Sequence, residues 1–164
     1  MNLIIDDVSF TYPAGAEALR GISLHISEGE AVAIVGENGA GKTTLVKHFN
    51  GLLKPTRGNV TVGDWDTRTH TVARMAARVG YVFQNPDDQI VERTVADEVA
   101  FGPRRLGQSE ADVVANSAAA LAMVELSEEA QTHPYDLSAP QRKLVTLASV
   151  LAMRTPIVIF DEPT

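Results

Sequence analysis

The chain has 164 residues, which is long enough for one domain with a buried core. Charged residues make up 21% and hydrophobic residues 45%, values typical of a globular protein and not of a disordered chain. The net charge of −7 argues against a general nucleic-acid binder, and the lack of cysteine excludes a disulfide framework, a thiolate metal site and a cysteine nucleophile.

Strands are predicted first along the chain. The stretches VSFTY and ISLHI alternate apolar and polar residues before the turn SEGE, which predicts two antiparallel strands with one buried face each. The five apolar residues Ala31–Val35 follow in an unbroken run. Such a run predicts a strand covered on both faces, as in a parallel sheet.

A helix is predicted directly after that run. The apolar residues at helical spacing are Leu45, Val46, Phe49, Leu52 and Leu53. Gly51 and Pro55 would end the helix. The stretches GNVTV and Val79–Phe83 then predict two further strands.

The pattern becomes helical from Thr94 to about Val150. Ser109 and Asp112 predict an N-terminal cap before an alanine-rich helix, and Ser138 with Gln141 predicts a capping box that opens a helix reaching about Met153. The stretch TPIVIF then returns to a buried strand. We therefore predict one α/β domain, residues 1–164. Its strand-rich part and phosphate loop occupy residues 1–86, its helical subdomain residues 87–142, and its returning core residues 143–164.

The strongest motif is GENGAGKT, Gly36–Thr43, which fits the phosphate-loop pattern between a predicted strand and a predicted helix. Its glycines allow the backbone to wrap a triphosphate, and its N–H groups and the helix N-terminus supply positive potential. Lys42 is expected to reach the β and γ phosphates, and the Thr43 hydroxyl to bind Mg²⁺. The motif therefore predicts a nucleoside triphosphate as ligand.

A second motif, IVIFDE, places two carboxylates at the end of the last predicted strand. Asp161 is the candidate ligand for the magnesium ion. Glu162 is placed to orient and deprotonate the water that attacks the γ phosphate. Together with the phosphate loop, this pair predicts hydrolysis of the nucleotide.

The order of motifs resembles an ATP-binding cassette (ABC) transporter ATPase along the whole chain. The phosphate loop is followed by Gln84 at a strand end, by LSAPQ (Leu137–Gln141) and by IVIFDEPT. VFQNPDDQ and TVADEVAFGP are most similar to the energy-coupling-factor and cobalt/nickel importer ATPases, although Arg105 stands where many members carry Asn. The resemblance implies a phosphate-loop NTPase core with an antiparallel β subdomain and a helical insertion, lacking its C-terminal part.

The resemblance also implies roles for individual residues. Tyr12 would stack on adenine, although it could equally continue the strand face of Val8 and Phe10. Gln84 would contact both Mg²⁺ and the attacking water, and Ser138 with Gln141 would cap an ATP held by an opposite subunit. The phosphate loop itself would contribute Gly36, Glu37, Asn38, Gly39, Ala40, Gly41, Lys42, Thr43 and the following Thr44.

The resemblance implies ATP and Mg²⁺ as cofactors, a second ATPase subunit and a transmembrane subunit as partners, and a place at the cytoplasmic face of the membrane. We expect no nucleic-acid partner. The function implied is ATP hydrolysis that drives uptake of a vitamin or metal ion. Two alternatives remain: a soluble ABC ATPase outside transport, and a module that binds ATP without hydrolysing it. Members of the family continue beyond the acidic pair, so we expect a truncated chain with impaired hydrolysis.

The segment LSAPQ departs from the family's L-S-G-G-Q at Ala139 and Pro140. Pro140 has no N–H to offer a phosphate, and Ala139 adds a Cβ where close approach is wanted. The start of the helix is nevertheless preserved, because proline is tolerated in a first turn. We therefore expect a heterodimer in which a different subunit carries an intact segment.

Overall fold

The computed structural model describes residues 1–161. The chain divides into two compact units, Met1–Val79 and Gly80–Thr164.

The first unit contains an antiparallel sheet built from alternating apolar residues. Its strands are β1 (Leu3–Thr11), β2 (Glu17–Ile26), β3 (Arg57–Val62) and β4 (Trp65–Asp66), in the spatial order β2-β1-β3-β4. β1 pairs antiparallel with both β2 and β3. The predicted antiparallel opening and the GNVTV strand are confirmed.

Two helices belong to this unit, α1 (Lys42–Phe49) and α2 (Val72–Met75). α1 packs against β2 and β3 through buried residues that include Leu45 and Phe49. The predicted helix is too long, because α1 ends before Gly51, which has a φ of +75°. A left-handed glycine ends a helix readily, so Leu52 and Leu53 lie beyond it.

The prediction of a buried strand at Ala31–Val35 is wrong for this structure. The segment has no regular secondary structure, and Val35 is 87% exposed. A strand requires hydrogen bonds to a neighbouring strand. Among residues 1–161, no strand pairs with this segment. The phosphate loop therefore follows an exposed segment without regular secondary structure.

The described part of the second unit, up to residue 161, combines a strand pair with three helices. β5 (Val79–Val82) pairs with β6 (Ile157–Phe160). The helices are α3 (Val95–Arg105), α4 (Glu110–Met123) and α5 (Ala139–Ala152), which pack against one another. Short 3₁₀ turns occupy Pro86–Asp88 and Pro134–Asp136. β6 is less buried than predicted, since Ile159 is buried but Phe160 is 48% exposed.

The caps predicted from sequence hold the helices of this unit. The side chain of Ser109 accepts the N–H of Asp112 before α4. The side chain of Ser138 accepts the N–H of Gln141, and the side chain of Gln141 accepts the N–H of Ser138 before α5. Buried Val99, Leu121 and Val145 contribute to the apolar core between the helices. The predicted helical character of this region is confirmed.

Candidate functional site: a nucleotide-binding loop and a buried carboxylate

The phosphate loop at residues 36–43 takes its shape from glycines. Gly39 and Gly41 have φ values of +82° and +89°, in the left-handed region that other residues rarely adopt. A Cβ on Gly41 would lie 2.6 Å from the backbone oxygen of Ala18, so the loop approaches β2 closely. Residues 36–40 are exposed. The backbone of the loop is therefore exposed to solvent, while Gly41 at its end lies close to β2.

Lys42 begins α1 and its side chain reaches back across the loop. Its Nζ donates hydrogen bonds to the backbone oxygens of Gly36 at 2.9 Å and Glu37 at 3.0 Å. Gly41, the residue before the helix, has no side chain with which to cap it. A helix N-terminus, exposed loop backbone and an ammonium group at one point make a site suited to phosphate.

Tyr12 is attached to the residues that follow the loop. Its hydroxyl is 2.8 Å from the hydroxyl of Thr44, and its ring meets Phe10 edge-on with 4.9 Å between centroids. Tyr12 lies just after β1 and is 37% exposed. Both interpretations of Tyr12, stacking on adenine and continuing the strand face, stay predictions. Because Tyr12 is hydrogen-bonded to Thr44 of α1, the position of its ring depends on this helix.

His48 supports this arrangement from inside the unit. Its Nδ1 lies 2.7 Å from the backbone oxygen of Thr44 and must donate, because a carbonyl oxygen only accepts. Its ring also meets Phe10 edge-on at 4.9 Å. Burial lowers the pKa of His48, so the neutral imidazole is the form that packs here. Thr44 is thus held through both its hydroxyl and its carbonyl.

Asp161 lies at the end of β6 in the second unit. Its N–H donates to the backbone oxygen of Val82 at 3.1 Å, and its carboxylate accepts the hydroxyl of Tyr81 at 2.7 Å. Asp161 and Tyr81 are both 8% exposed. Burial, together with the hydrogen bond to Asp161, raises the pKa of Tyr81, so its hydroxyl stays a proton donor. Carboxylate oxygens are among the ligands that Mg²⁺ prefers, so the residue type of Asp161 suits a metal site.

Sequence reasoning missed Tyr81. The two partners are 80 positions apart, and Tyr81 is one of four consecutive buried residues of β5. A buried aromatic residue in a strand is typical of a core. No sequence spacing marks it as the neighbour of the acidic pair.

Gln84 follows β5 and is exposed. Glu162 lies outside the described residues. The candidate ligands for Mg²⁺, Thr43, Gln84 and Asp161, supply hydroxyl, amide and carboxylate oxygens. Mg²⁺ prefers such oxygens and commonly takes few from the protein, with phosphates and water completing its shell. The residue types therefore fit this ion.

Ser138 and Gln141 form the capping box described above, and Ser138, Ala139 and Pro140 are exposed. Pro140 occupies the first turn of α5 without disrupting it. The first unit thus brings Tyr12 and Thr44 together beside the phosphate loop. Gln84, Asp161 and the capping box belong to the second unit. Their participation in one site is a prediction.

Comparison with known proteins gives consistent matches. A model of the ABC transporter family matches residues 19–164. The energy-coupling factor transporter ATP-binding protein EcfA of Methanosphaera stadtmanae is 45% identical over 157 residues, which cover 94% of this chain and 56% of that protein. The chain spans between 28% and 64% of the length of the curated relatives it matches. Of the helices formed by residues 1–161, none is long and apolar enough to cross a membrane.

Solved structures share the fold. The structure of cbiO1 from Clostridium perfringens, part of the ABC transporter complex cbiONQ, is 32% identical with a TM-score of 0.84, covering 97% of this chain and 64% of that one. A dimeric ATP-binding cassette in a post-hydrolysis state, bound to ADP and Pi, is 30% identical with a TM-score of 0.86, covering 99% and 74%. These matches confirm the predicted fold class, an ABC ATPase core with an antiparallel β subdomain and a helical insertion. The chain belongs to the ABC transporter family.

Proposed function

We propose that this chain is the ATP-binding and ATP-hydrolysing subunit of an energy-coupling-factor type importer, which drives uptake of a vitamin or metal ion. The observation that carries the proposal is the geometry of loop 36–43, in which left-handed glycines and Lys42 surround exposed backbone at the start of α1. The similarity to a protein named EcfA and to cbiO1, part of a transporter complex, supports the importer type.

Binding follows from the residues of the first unit. Lys42 exchanges its hydrogen bonds to two loop carbonyls for the β and γ phosphates, an exchange favoured by the charge of the phosphates. The N–H groups of the loop and of the first turn of α1 hold the remaining phosphate oxygens. Tyr12 stacks on the adenine ring, with its phenol fixed by Thr44.

Hydrolysis depends on the second unit. When bound, Mg²⁺ neutralises charge that develops on the β and γ phosphates. Thr43, Gln84 and Asp161 would hold the ion, and the hydroxyl of Tyr81 orients the Asp161 carboxylate. Glu162 accepts a proton from the water that attacks the γ phosphorus, and the bond from that phosphorus to the β-γ bridging oxygen breaks.

The assembly we propose is a heterodimer at the cytoplasmic face of a membrane, joined to a transmembrane subunit. A dimeric ATP-binding cassette among the similar structures supports a two-subunit arrangement. Pro140 cannot donate an N–H to a phosphate at the start of α5. In the proposed heterodimer, Lys42 and Glu162 of this chain therefore act on an ATP that is capped by the intact segment of the other subunit. The segment Leu137–Gln141 of this chain caps the second ATP, at a site where hydrolysis is slow or absent.

A first experiment tests hydrolysis in the complete protein with its partners. Glu162→Gln should bind MgATP with wild-type affinity and lose turnover, because the amide keeps the shape but cannot accept the proton. Unchanged turnover would remove Glu162 from the role of base. Co-purification with a polytopic membrane protein tests the transport assignment, and recovery without any such protein would favour an ABC ATPase outside transport.

A second experiment tests the asymmetry. Restoring Ala139→Gly with Pro140→Gly should raise hydrolysis or its ATP cooperativity in the assembled dimer, because one N–H is restored and one Cβ is removed. A homodimer with full turnover at two sites, unaffected by the double substitution, would contradict the heterodimer.

A further inference from the structure

Gln89 connects two regions of the second unit. One is the Gln84 segment, residues 83–92, and the other is α5. Its side-chain oxygen accepts the N–H of Phe83, the residue directly before Gln84, at 3.1 Å. Its side-chain nitrogen donates to the backbone oxygen of Thr146 and to the hydroxyl of Ser149, both at 3.0 Å and both on α5. One partly buried side chain thus uses its acceptor toward the Gln84 segment and its two donors toward the helix.

Further contacts hold the same segment to the helices. The buried carboxylate of Glu98, on α3, accepts the N–H groups of Val91 and Glu92, both at 2.8 Å. Asp87 forms an ion pair with Arg142, in the first turn of α5, at 3.7 Å. That pair is partly exposed and weak, whereas hydrogen bonds to a buried carboxylate are stronger. The C-terminal part of the segment is thus fixed to α3, and Gln89 fixes the part next to Gln84 to α5.

We propose that Gln89 is a positioning residue that couples Gln84 to α5, the helix whose start is the Ser138 capping box. This inference rests on the proposed function. A movement of Gln84 toward bound nucleotide pulls on the Phe83 N–H, and Gln89 transmits the displacement to the third turn of α5. The start of that helix, which faces the opposite subunit's nucleotide in the proposed dimer, then moves with the Gln84 segment.

Gln108 offers a matched control within the same unit. It is also partly buried, its side-chain nitrogen donates to the backbone oxygen of Met153 just after α5 at 3.0 Å, and its side-chain oxygen accepts from Asn116 at 2.9 Å. Its bonds are as short as those of Gln89 and also hold the end of a helix. They do not reach the Gln84 segment. A purely structural contribution should therefore be similar at both positions.

The experiment compares wild type, Gln89→Met and Gln108→Met in the complete protein with its partner subunits. Methionine keeps the length of the side chain and removes its hydrogen bonds. Hydrogen exchange is followed in residues 80–94 and 137–146 with and without MgATP, and nucleotide affinity is measured by calorimetry. In wild type we expect both regions to change protection together on adding MgATP.

For Gln89→Met we expect MgATP affinity within about twofold of wild type, loss of the response in residues 137–146, and kcat lower by about tenfold at nearly unchanged KM. Gln108→Met should keep the joint response. A joint response that survives in Gln89→Met, or is lost equally in both variants, would overturn the coupling. If Gln89→Met does not fold, Ser149→Ala removes one of its acceptors and should weaken the same response. An unchanged response in Ser149→Ala would then overturn it.

The wild type separates this inference from the proposed function. If wild type does not bind MgATP, the proposed function fails and the coupling fails with it. If wild type binds and hydrolyses ATP while Gln89→Met behaves like Gln108→Met, only the coupling is wrong.

Discussion

Replacement of Gly41 by alanine tests how the phosphate loop is held, with Gly39→Ala as its control. Both glycines have left-handed φ values, and alanine in this region costs about 1–2 kcal/mol. The two differ in space: a Cβ on Gly39 meets nothing within 4 Å, while a Cβ on Gly41 would lie 2.6 Å from the backbone oxygen of Ala18.

That second contact adds a packing cost at Gly41. Real Cβ atoms essentially never come closer than 3.0 Å to such an atom, so the loop and β2 must separate by about 0.4 Å or more. Overpacking of this kind costs about 1–3 kcal/mol. We therefore expect Gly39→Ala to lower the free energy of unfolding by about 1–2 kcal/mol and Gly41→Ala by about 2–5 kcal/mol.

Urea unfolding measures the two free energies, and calorimetry with MgATP measures the consequence for binding. Gly41→Ala should weaken MgATP binding more than Gly39→Ala, because the displaced residue directly precedes Lys42 and the first turn of α1. Equal losses of stability in the two variants would refute the argument that close approach to Ala18 requires glycine here.

Three further predictions follow from single contacts. Lys42→Ala should weaken MgATP binding by at least about tenfold, because it removes a charge-assisted hydrogen bond to the phosphates, and equal affinities in calorimetry would contradict the phosphate-loop assignment. Tyr81→Phe should lower the free energy of urea unfolding by about 1.5–3 kcal/mol, because the buried Asp161 carboxylate loses a hydroxyl donor, and unchanged stability would show that the bond contributes nothing. Burial lowers the pKa of His48 below the ordinary value of about 6.5. At pH values between the lowered and the ordinary pKa, the unfolded state therefore binds more protons than the folded state. The free energy of unfolding should decrease as the pH falls through this interval. His48→Gln should flatten that dependence, and a slope unchanged from that of wild type would exclude His48 as its origin.

Features that depend on neighbouring residues were predictable from the sequence. The caps at Ser109 and Ser138 formed as predicted because each joins a hydroxyl to an N–H three positions later. The alternation in β1 placed Val8 and Phe10 on a buried face because side chains in a strand alternate between its two faces. The phosphate-loop residues were recognised by type and spacing, which reflect the backbone geometry that phosphate requires.

The sequence by itself therefore determined the family, the helix caps and the residue types of the nucleotide site. Only the tertiary structure decided that Ala31–Val35 lies exposed, because an apolar run becomes a strand only where a neighbouring strand pairs with it. Only the tertiary structure revealed that Tyr81 contacts Asp161, a residue 80 positions away. It also revealed that Gln89 joins Phe83, across a loop, to two residues of α5 that are 57 and 60 positions away. Such contacts form because folding brings distant parts of the chain together. Local residue spacing does not indicate which distant side chains will be in contact.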